Sequence, residues 1–429
     1  MTNQKRQTIQ DIKTLKSLGF TYALERKGFL RQQQYYTNHQ YLISSSLNAK
    51  IKTATNACMK LFQESYEYVS KNISSFEQNL IDLGYNTELI KAFINATPDE
   101  IVSNLSRIDF IIDDNDSIKF CEINSATPQG IFENVICSEY FQKRYNTQTA
   151  NTTIMPKFKS MWANIVKNKS EIPTLYVSAE ASYNEDVQTV MLHQHNYPGG
   201  IKFIDLKDIQ VHDDGVYDLD YNKIELMFML YPIEFLPYDI DSDGFNTGAL
   251  FLEHIAKGNI QMINPLSATL IQSKNFVTII DKLVAEKKLS QKSCDTYHTY
   301  FPKSANWNGT KQQIEKWLEH DEKVVLKPVF GRTGKAVQIV TKENIKNALG
   351  IIDSTSDETL SWYTNQPHIL QEYVQDRSEE VILLDGKKHN VNLIFGAYAI
   401  DLDYAGLYLR GDDGCTTDQC ILLHPVITD

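Results

Sequence analysis

No stretch of this 429-residue chain approaches the roughly 20 consecutive apolar residues that cross a bilayer. Its start, MTNQKRQTIQDIKTLKSLGF, has no apolar core ahead of a cleavage site. The expectation is a soluble, cytoplasmic protein with no membrane partner. Cysteine is sparse, six residues at 58, 121, 137, 294, 415 and 420 with no CxxC spacing, so neither a disulfide framework nor a zinc motif is written here. Cys415 and Cys420 are near enough to pair, but one isolated pair is weak support for either. Positive charge is in deficit: 42 Lys plus Arg against 54 Asp plus Glu give a net charge of −12. Without a basic stripe, nucleic acid is not an expected partner. The acidic balance suits a cationic ligand such as a polyamine or diamine and equally serves solubility. There is no Walker spacing, no GxGxxG, no internal repeat and no low-complexity linker, which excludes P-loop and Rossmann readings.

What is present centres on RIDFIIDDNDSIKFCEIN, residues 107–124. It reads as two alternating strands around an Asp113–Asp114–Asn115–Asp116 turn. Side chains alternate between faces, so Arg107, Asp109 and Ile111 share one face of the first strand, and Ile118, Phe120, Glu122 and Asn124 one face of the second. A register closed by a four-residue turn sets Arg107 beside Glu122, with Asp109 on the diagonal. A solvated hairpin face would explain one such acid. Two carboxylates, an amide and an arginine on one face instead form a hard-ligand set suited to Mg²⁺, which completes its shell with waters and substrate phosphates.

The rest of the chain is read as packed lobes, since its length exceeds the usual single-domain size. Residues 5–18 and about 48–105 carry helical spacing, giving a helical N-terminal segment over 1–105. The hairpin and a helix over FENVICSEYFQKRY occupy 106–153. TLYVSAE, IKFIDL and LMFMLYP are short strands of an α/β substrate lobe over 154–270. Residues 271–429 form a nucleotide-binding lobe and C-terminal return, with amphipathic helices expected over 275–295 and 309–320. Within it, VVLKPVFGRTGKAVQIV at 324–340 reads as strand, glycine loop, strand. Gly331 and Gly334 let the backbone approach anionic oxygens, Arg332 can fork two of them, and Lys327 adds a point charge. An ordinary glycine-turn hairpin explains the loop equally well by itself. HILQEYV, 368–374, reads as a strand with an edge that can face a base, and YAGLYLRGDDG sets Arg410 beside Asp412 and Asp413.

Taken in order, RIDF with EIN, PLSATLIQSK, LKPVFGRTG, ILQEYV and AGLYLRGDDG resemble the synthetase domain of the glutathionylspermidine synthase family. The resemblance implies an α+β ATP-grasp fold in a circularly permuted, glutathione-synthetase-like arrangement, because the acids precede the phosphate lysines. It implies ATP and Mg²⁺ as cofactors, with Asp109, Glu122 and Asn124 on the metal and Lys274 and Lys327 on the phosphates. Arg107 falls at the transferred phosphate, Arg332 is the loop arginine and Arg410 the C-terminal one. Gln371, Glu372 and Val374 fall where adenine is held, and Gly331 and Gly334 in the phosphate loop. Thr127, Gln129 and Glu234 fall beside the substrate. Ser125-Ala126-Thr127-Pro128-Gln129-Gly130 departs from the serines of the bifunctional enzyme, so an acid other than glutathione is expected, and the short lead before the hairpin leaves no room for an amidase domain.

The implied activity is ATP-dependent carboxylate–amine ligation through an acyl phosphate, in which metal and arginines neutralise the phosphoryl charge. A small-molecule kinase would use the same machinery and stop at the phosphorylated product. A nucleotide-binding module without turnover would be expected to have lost part of the acid and base set.

Overall fold

The computed structural model describes residues 3–21, 26–27, 32–332, 334–353, 358–412 and 421–429. Asp413, Cys415 and Cys420, singled out by the sequence alone, lie outside the described residues, as does Thr333 of the glycine loop. The long helix Ser45–Lys71 starts where the Ser44 hydroxyl accepts the Leu47 N–H at 3.1 Å and satisfies one of the orphan donors of a helix start. Its buried stripe includes Leu47, Ile51, Met59, Phe62, Tyr66 and Val69, at the three-and-four spacing that turns one face inward. That face packs on the back of a central sheet, where Phe62 meets Phe120 with ring centroids 5.7 Å apart.

The central sheet runs 36–44, 421–428, 403–412, 388–400, 105–112, 118–124, with 378–382 also paired to 388–400. Every neighbouring pair is antiparallel except 36–44 with 421–428. A four-stranded parallel sheet, in the order 261–263, 226–229, 175–179, 201–205, is the expected α/β lobe. A third sheet, 304–306, 368–372, 324–328, 338–340, is antiparallel. One of its faces carries Val324, Leu326, Val340 and Leu370 onto Ile314 and Trp317. Alternation then sends Val325, Lys327, Ile339 and Gln371 to the other face.

Several expectations are corrected. The N-terminal segment is not helical throughout: Tyr36–Ser44 is a strand, and its parallel partner comes from the C-terminus. The helical run over 48–105 is three helices, Ser45–Lys71, Ile73–Asp82 and Thr87–Asn95, and Leu105 already belongs to the hairpin. The 275–295 helix is two, Phe276–Ala285 and Gln291–Tyr300, broken where Lys287 takes φ 55°. No helix among the described residues is long and apolar enough to cross a membrane. Asn264 ties the lobes at the open end of the hairpin. Its side chain accepts the Leu105 N–H at 2.7 Å and donates to Leu105 O at 2.8 Å and Ser125 O at 2.7 Å.

Candidate active site

The hairpin strands are Leu105–Ile112 and Ile118–Asn124, and the turn is one residue longer than its acidic run suggests. Asp113 Oδ1 accepts the N–H groups of Asn115 and Ser117 at 2.9 and 2.8 Å, so Ser117 belongs to the loop. Beyond Phe110↔Phe120 the ladder skips Cys121 and resumes at Asp109↔Glu122 and Arg107↔Asn124. The expected pairing of Arg107 with Glu122 is therefore replaced. The skipped residue is a β-bulge, which re-aims the side chains that follow it. Ile118 and Phe120 turn to the back with Phe110, while Glu122 and Asn124 join Arg107 and Asp109 in front.

Asp109 is 1% exposed and wholly engaged. Arg107 forks it, Nε to Oδ1 at 2.6 Å and Nη2 to Oδ2 at 3.0 Å. Arg410 Nη2 reaches Oδ2 at 2.5 Å, and Asn124 Nδ2 the same oxygen at 3.5 Å. Both guanidiniums lie over the Tyr408 ring, 5.5 and 5.3 Å from its centroid, a cation–π arrangement that favours charge out of water. Burial would release the Arg107 proton, but Asp109 holds it on and raises its pKa. Gly396 pairs across both Asp109 and Tyr408. A Cβ there would fall 2.9 Å from Arg107 Cδ and 3.0 Å from Asp109 Oδ1, so this strand interior admits no side chain. Nothing local in the sequence marks that glycine.

The two lysines approach from the opposite side. Lys274 Nζ pairs with Glu122 Oε2 at 3.0 Å and donates to Gly331 O at 2.8 Å. Lys327 Nζ bonds the Cys121 carbonyl at 3.0 Å and Gln371 Oε1 at 2.8 Å. It has no carboxylate in ion-pair reach among the described residues, and burial, with Lys274 nearby, lowers its pKa. Burial alone would raise the Glu122 carboxyl; Lys274 and Lys327 outweigh it and pull it down to about 2. The third sheet and the central sheet thus face each other across a cleft. Val325, Lys327, Ile339 and Gln371 line one wall, Asp109, Ile111, Glu122, Ile394 and Arg410 the other. Gly331, Gly334, Glu372, Tyr373 and Val374 border the same cleft. Gly334, at φ 72°, holds a backbone conformation that glycine takes without strain.

The substrate candidates divide. Arg332 turns away from the phosphate side: Nη1 bonds Thr127 Oγ1 at 2.7 Å, while Nη2 and Nε reach Glu234 Oε1 at 2.6 and 3.2 Å. Gln129 sends its side chain to Asp186 at 2.8 Å, and only its carbonyl faces the arginine cluster, accepting Arg107 Nη1 and Tyr398 OH, each at 2.8 Å. Gln272, which the sequence did not single out, joins the two groups. Its Oε1 accepts the Ser125 and Ala126 N–H groups at 3.2 and 2.8 Å, and its Nε2 reaches Glu234 at 3.5 Å. Asp412 is buried in the sheet, so it is no surface charge able to draw a cation.

No described group of three or more His, Cys, Asp or Glu is arranged to hold a metal ion. The donor set still fits Mg²⁺. Glu122 and Asn124 offer a carboxylate and an amide on one face, and such an ion takes the rest of its shell from water and substrate phosphates; Asp109, expected as a third ligand, has both oxygens taken by Arg107 and Arg410.

The sequence profile described as glutathionylspermidine synthase preATP-grasp matches residues 1–428. The chain belongs to the glutathionylspermidine synthase family. As a member it has the α+β ATP-grasp fold and is an ATP-dependent C–N ligase. Among solved structures it is similar to D-cycloserine synthetase DcsG, at 15% identity over 52% of this chain and 68% of that one, with a TM-score of 0.31. It is also similar to a RimK domain ATP-grasp protein from Sphaerobacter thermophilus, at 10% identity over 58% and 89%, TM-score 0.32. A third is the D-alanine–D-alanine ligase from Coxiella burnetii, at 10% over 58% and 84%, TM-score 0.28. Likenesses this loose transfer no substrate and no residue role.

Proposed function

We propose that this family member joins a small carboxylic acid to a small amine through an acyl phosphate. The acid's carboxylate oxygen attacks the γ-phosphorus of ATP and ADP departs. The nitrogen of the neutral amine then attacks the acyl carbon, phosphate leaves with the C–O electron pair, and one N–H proton passes to solvent as the amide forms. The observation carrying this reading is the cleft with Lys327 and Lys274 on one side and Asp109 with Glu122 on the other. A buried ammonium bonded only to neutral oxygens is a ready partner for a phosphate.

Glu122 and Asn124 would hold Mg²⁺, which when bound neutralises phosphate charge and orients the chain for in-line transfer; Asp109 would join them only by giving up a bond to Arg107 or Arg410. Lys327 and Lys274 take the remaining phosphate charge. The apolar walls at Ile111, Val325, Ile339 and Ile394 receive the base, with Gln371, Glu372 and Val374 along its edge. Arg107 and Arg410, pre-stacked on Tyr408, meet the charge of the acyl phosphate without reorganising, the arrangement that makes electrostatic stabilisation effective. Arg332 latches the Gly331–Gly334 loop to Thr127 and Glu234, so loop closure and water exclusion are one event.

The test is trapping. Protein, Mg-ATP and a panel of acids are incubated with hydroxylamine, which converts an acyl phosphate to a hydroxamate. Hydroxamate and ADP in equal amounts, dependent on the acid, are expected. ADP formation with an acid but no hydroxamate would replace this route with direct hydrolysis.

A further inference from the structure

Behind the arginine cluster runs a buried chain of hydroxyls that ends on a carboxylate. Tyr35, Glu133 and Tyr408 are all buried and come from three places: the residue ahead of the 36–44 strand, the first turn of the helix Ile131–Tyr145, and the strand that carries Arg410. The Tyr35 hydroxyl donates to Glu133 Oε1 at 3.2 Å and is hydrogen-bonded to the Tyr408 hydroxyl. A phenol has one proton to give. With the Tyr35 proton on Glu133, the Tyr408 hydroxyl is the donor to Tyr35, and the chain runs one way, from Tyr408 through Tyr35 to the carboxylate. Tyr35 is held for this by its backbone, whose carbonyl accepts the Leu422 N–H at 2.8 Å. Leu422 is in turn the sheet partner of Arg410.

The other end of the chain is the ring on which both guanidiniums lie. A hydroxyl that donates toward a carboxylate takes on phenolate character, which makes the ring face more negative and strengthens its hold on two neighbouring cations. The same bond fixes the ring plane. Gly130, next to the Gln129 carbonyl that Arg107 and Tyr398 share, lies so close that a Cβ there would fall 2.6 Å from Tyr408 Cε1. The ring therefore backs the 129–130 turn as well as the arginines. Tyr398 reports the shared field: burial holds its pKa well up, Glu133 pushes it further and Arg107 and Arg410 pull it back. We propose that Glu133 and Tyr35 are positioning residues for phosphoryl transfer, setting the plane and charge of the Tyr408 ring so that Arg107 and Arg410 stand ready for the acyl phosphate. Resting on the ligase reading that places those arginines there, this gives the two residues a task that a mere tie for the N-terminal segment would not. Breaking a mere tie would cost stability and leave the arginines' affinity for phosphate in place.

Tyr35→Phe breaks the chain and keeps the ring packing, while Glu133→Gln keeps an acceptor oxygen and removes its charge. Inorganic phosphate is titrated calorimetrically into the full chain with Mg-ADP bound. Tyr35→Phe should weaken phosphate by ~10-fold, about what one buried hydrogen bond is worth, with the affinity for Mg-ADP in place, and Glu133→Gln by a smaller factor. In acid-dependent ADP release, kcat of Tyr35→Phe should fall by ~10-fold and the KM for ATP should not move. Added to Arg410→Lys, Tyr35→Phe should cost nothing more, because both act through one group. Should Tyr35→Phe fail to fold, Tyr408→Phe removes the other hydroxyl of the same bond and carries the same expectations. Unchanged phosphate affinity and kcat, a loss seen only in the melting temperature, losses of Tyr35→Phe and Arg410→Lys that multiply in full, or a wild type that binds no phosphate beside Mg-ADP overturns the assignment. The two readings fail separately: phosphate binding that responds to Tyr35→Phe without hydroxamate in the trapping assay defeats the acyl-phosphate route alone, and hydroxamate formed by Tyr35→Phe at the wild-type rate defeats the positioning role alone.

Discussion

Asp109 and Glu234 are both buried carboxylates gripped by arginine, yet they are used differently. Asp109 spends both oxygens on Arg107, Arg410 and Asn124; Glu234 puts its bonds to Arg332 and Gln272 on Oε1 alone, and its Oε2 has no partner among the described residues. The first is a closed, pre-set charge cluster, suited to chemistry in which dipoles must not move as charge develops. The second is a one-sided tie that holds the glycine loop through Arg332 alone.

The contrast breaks most visibly in stability. Asp109→Asn removes the carboxylate that bridges two buried guanidiniums and should destabilise the protein by ~3–5 kcal/mol, whereas Glu234→Gln, facing the partly exposed Arg332, should stay within ~1 kcal/mol. Chemical denaturation of the two variants measures this, and equal losses would erase the distinction.

Next in size is Gly396→Ala, which pushes a methyl against Arg107 and Asp109. Overpacking of this kind is expected to remove ~1–3 kcal/mol, together with a larger fractional loss of ADP release, because the cluster rather than the core is displaced. A variant with wild-type turnover would show that the cluster's geometry is not needed.

Glu122 sharpens the comparison through pH. Its folded value of about 2 lies below the ~4.3 of an unfolded chain. Its contribution is therefore complete above ~4.3 and lost as pH falls through 2. Glu122→Gln should flatten the acid limb of stability by ~1–2 kcal/mol across that window, and unfolding midpoints from pH 5 to 2 read it directly. The same substitution should cut ADP release by ~100-fold or more at saturating Mg²⁺ if Glu122 is a ligand.

The smallest effect belongs to the loop. Arg332→Lys replaces a fork that spans Thr127 and Glu234 with a point charge, and should reduce protection of the 329–332 backbone by ~0.5–1 kcal/mol in hydrogen exchange. Addition of an ATP analogue should restore part of it. Equal exchange in wild type and variant would remove the latch.

Much of this was legible in the sequence because strand alternation is a local code. The faces of Arg107, Asp109 and Lys327 follow from their own neighbours, as does the strand, loop, strand character of 324–340. The 36–44 strand was not legible, since its partner lies at the far end of the chain. Gly396 and Gln272 were missed because their roles are a space and a bridge, which exist only once distant segments meet. The hairpin shows the division best. The sequence alone determined that two acids, an amide and an arginine alternate onto strands, and that phosphate-suited lysines follow them. Only the tertiary structure decided the register. A loop one residue longer than expected and a bulge at Cys121 each shift the pairing by one. Because side chains alternate with a period of two, the two shifts cancel in parity, leaving Glu122 on the face of Asp109 but opposite it rather than opposite Arg107.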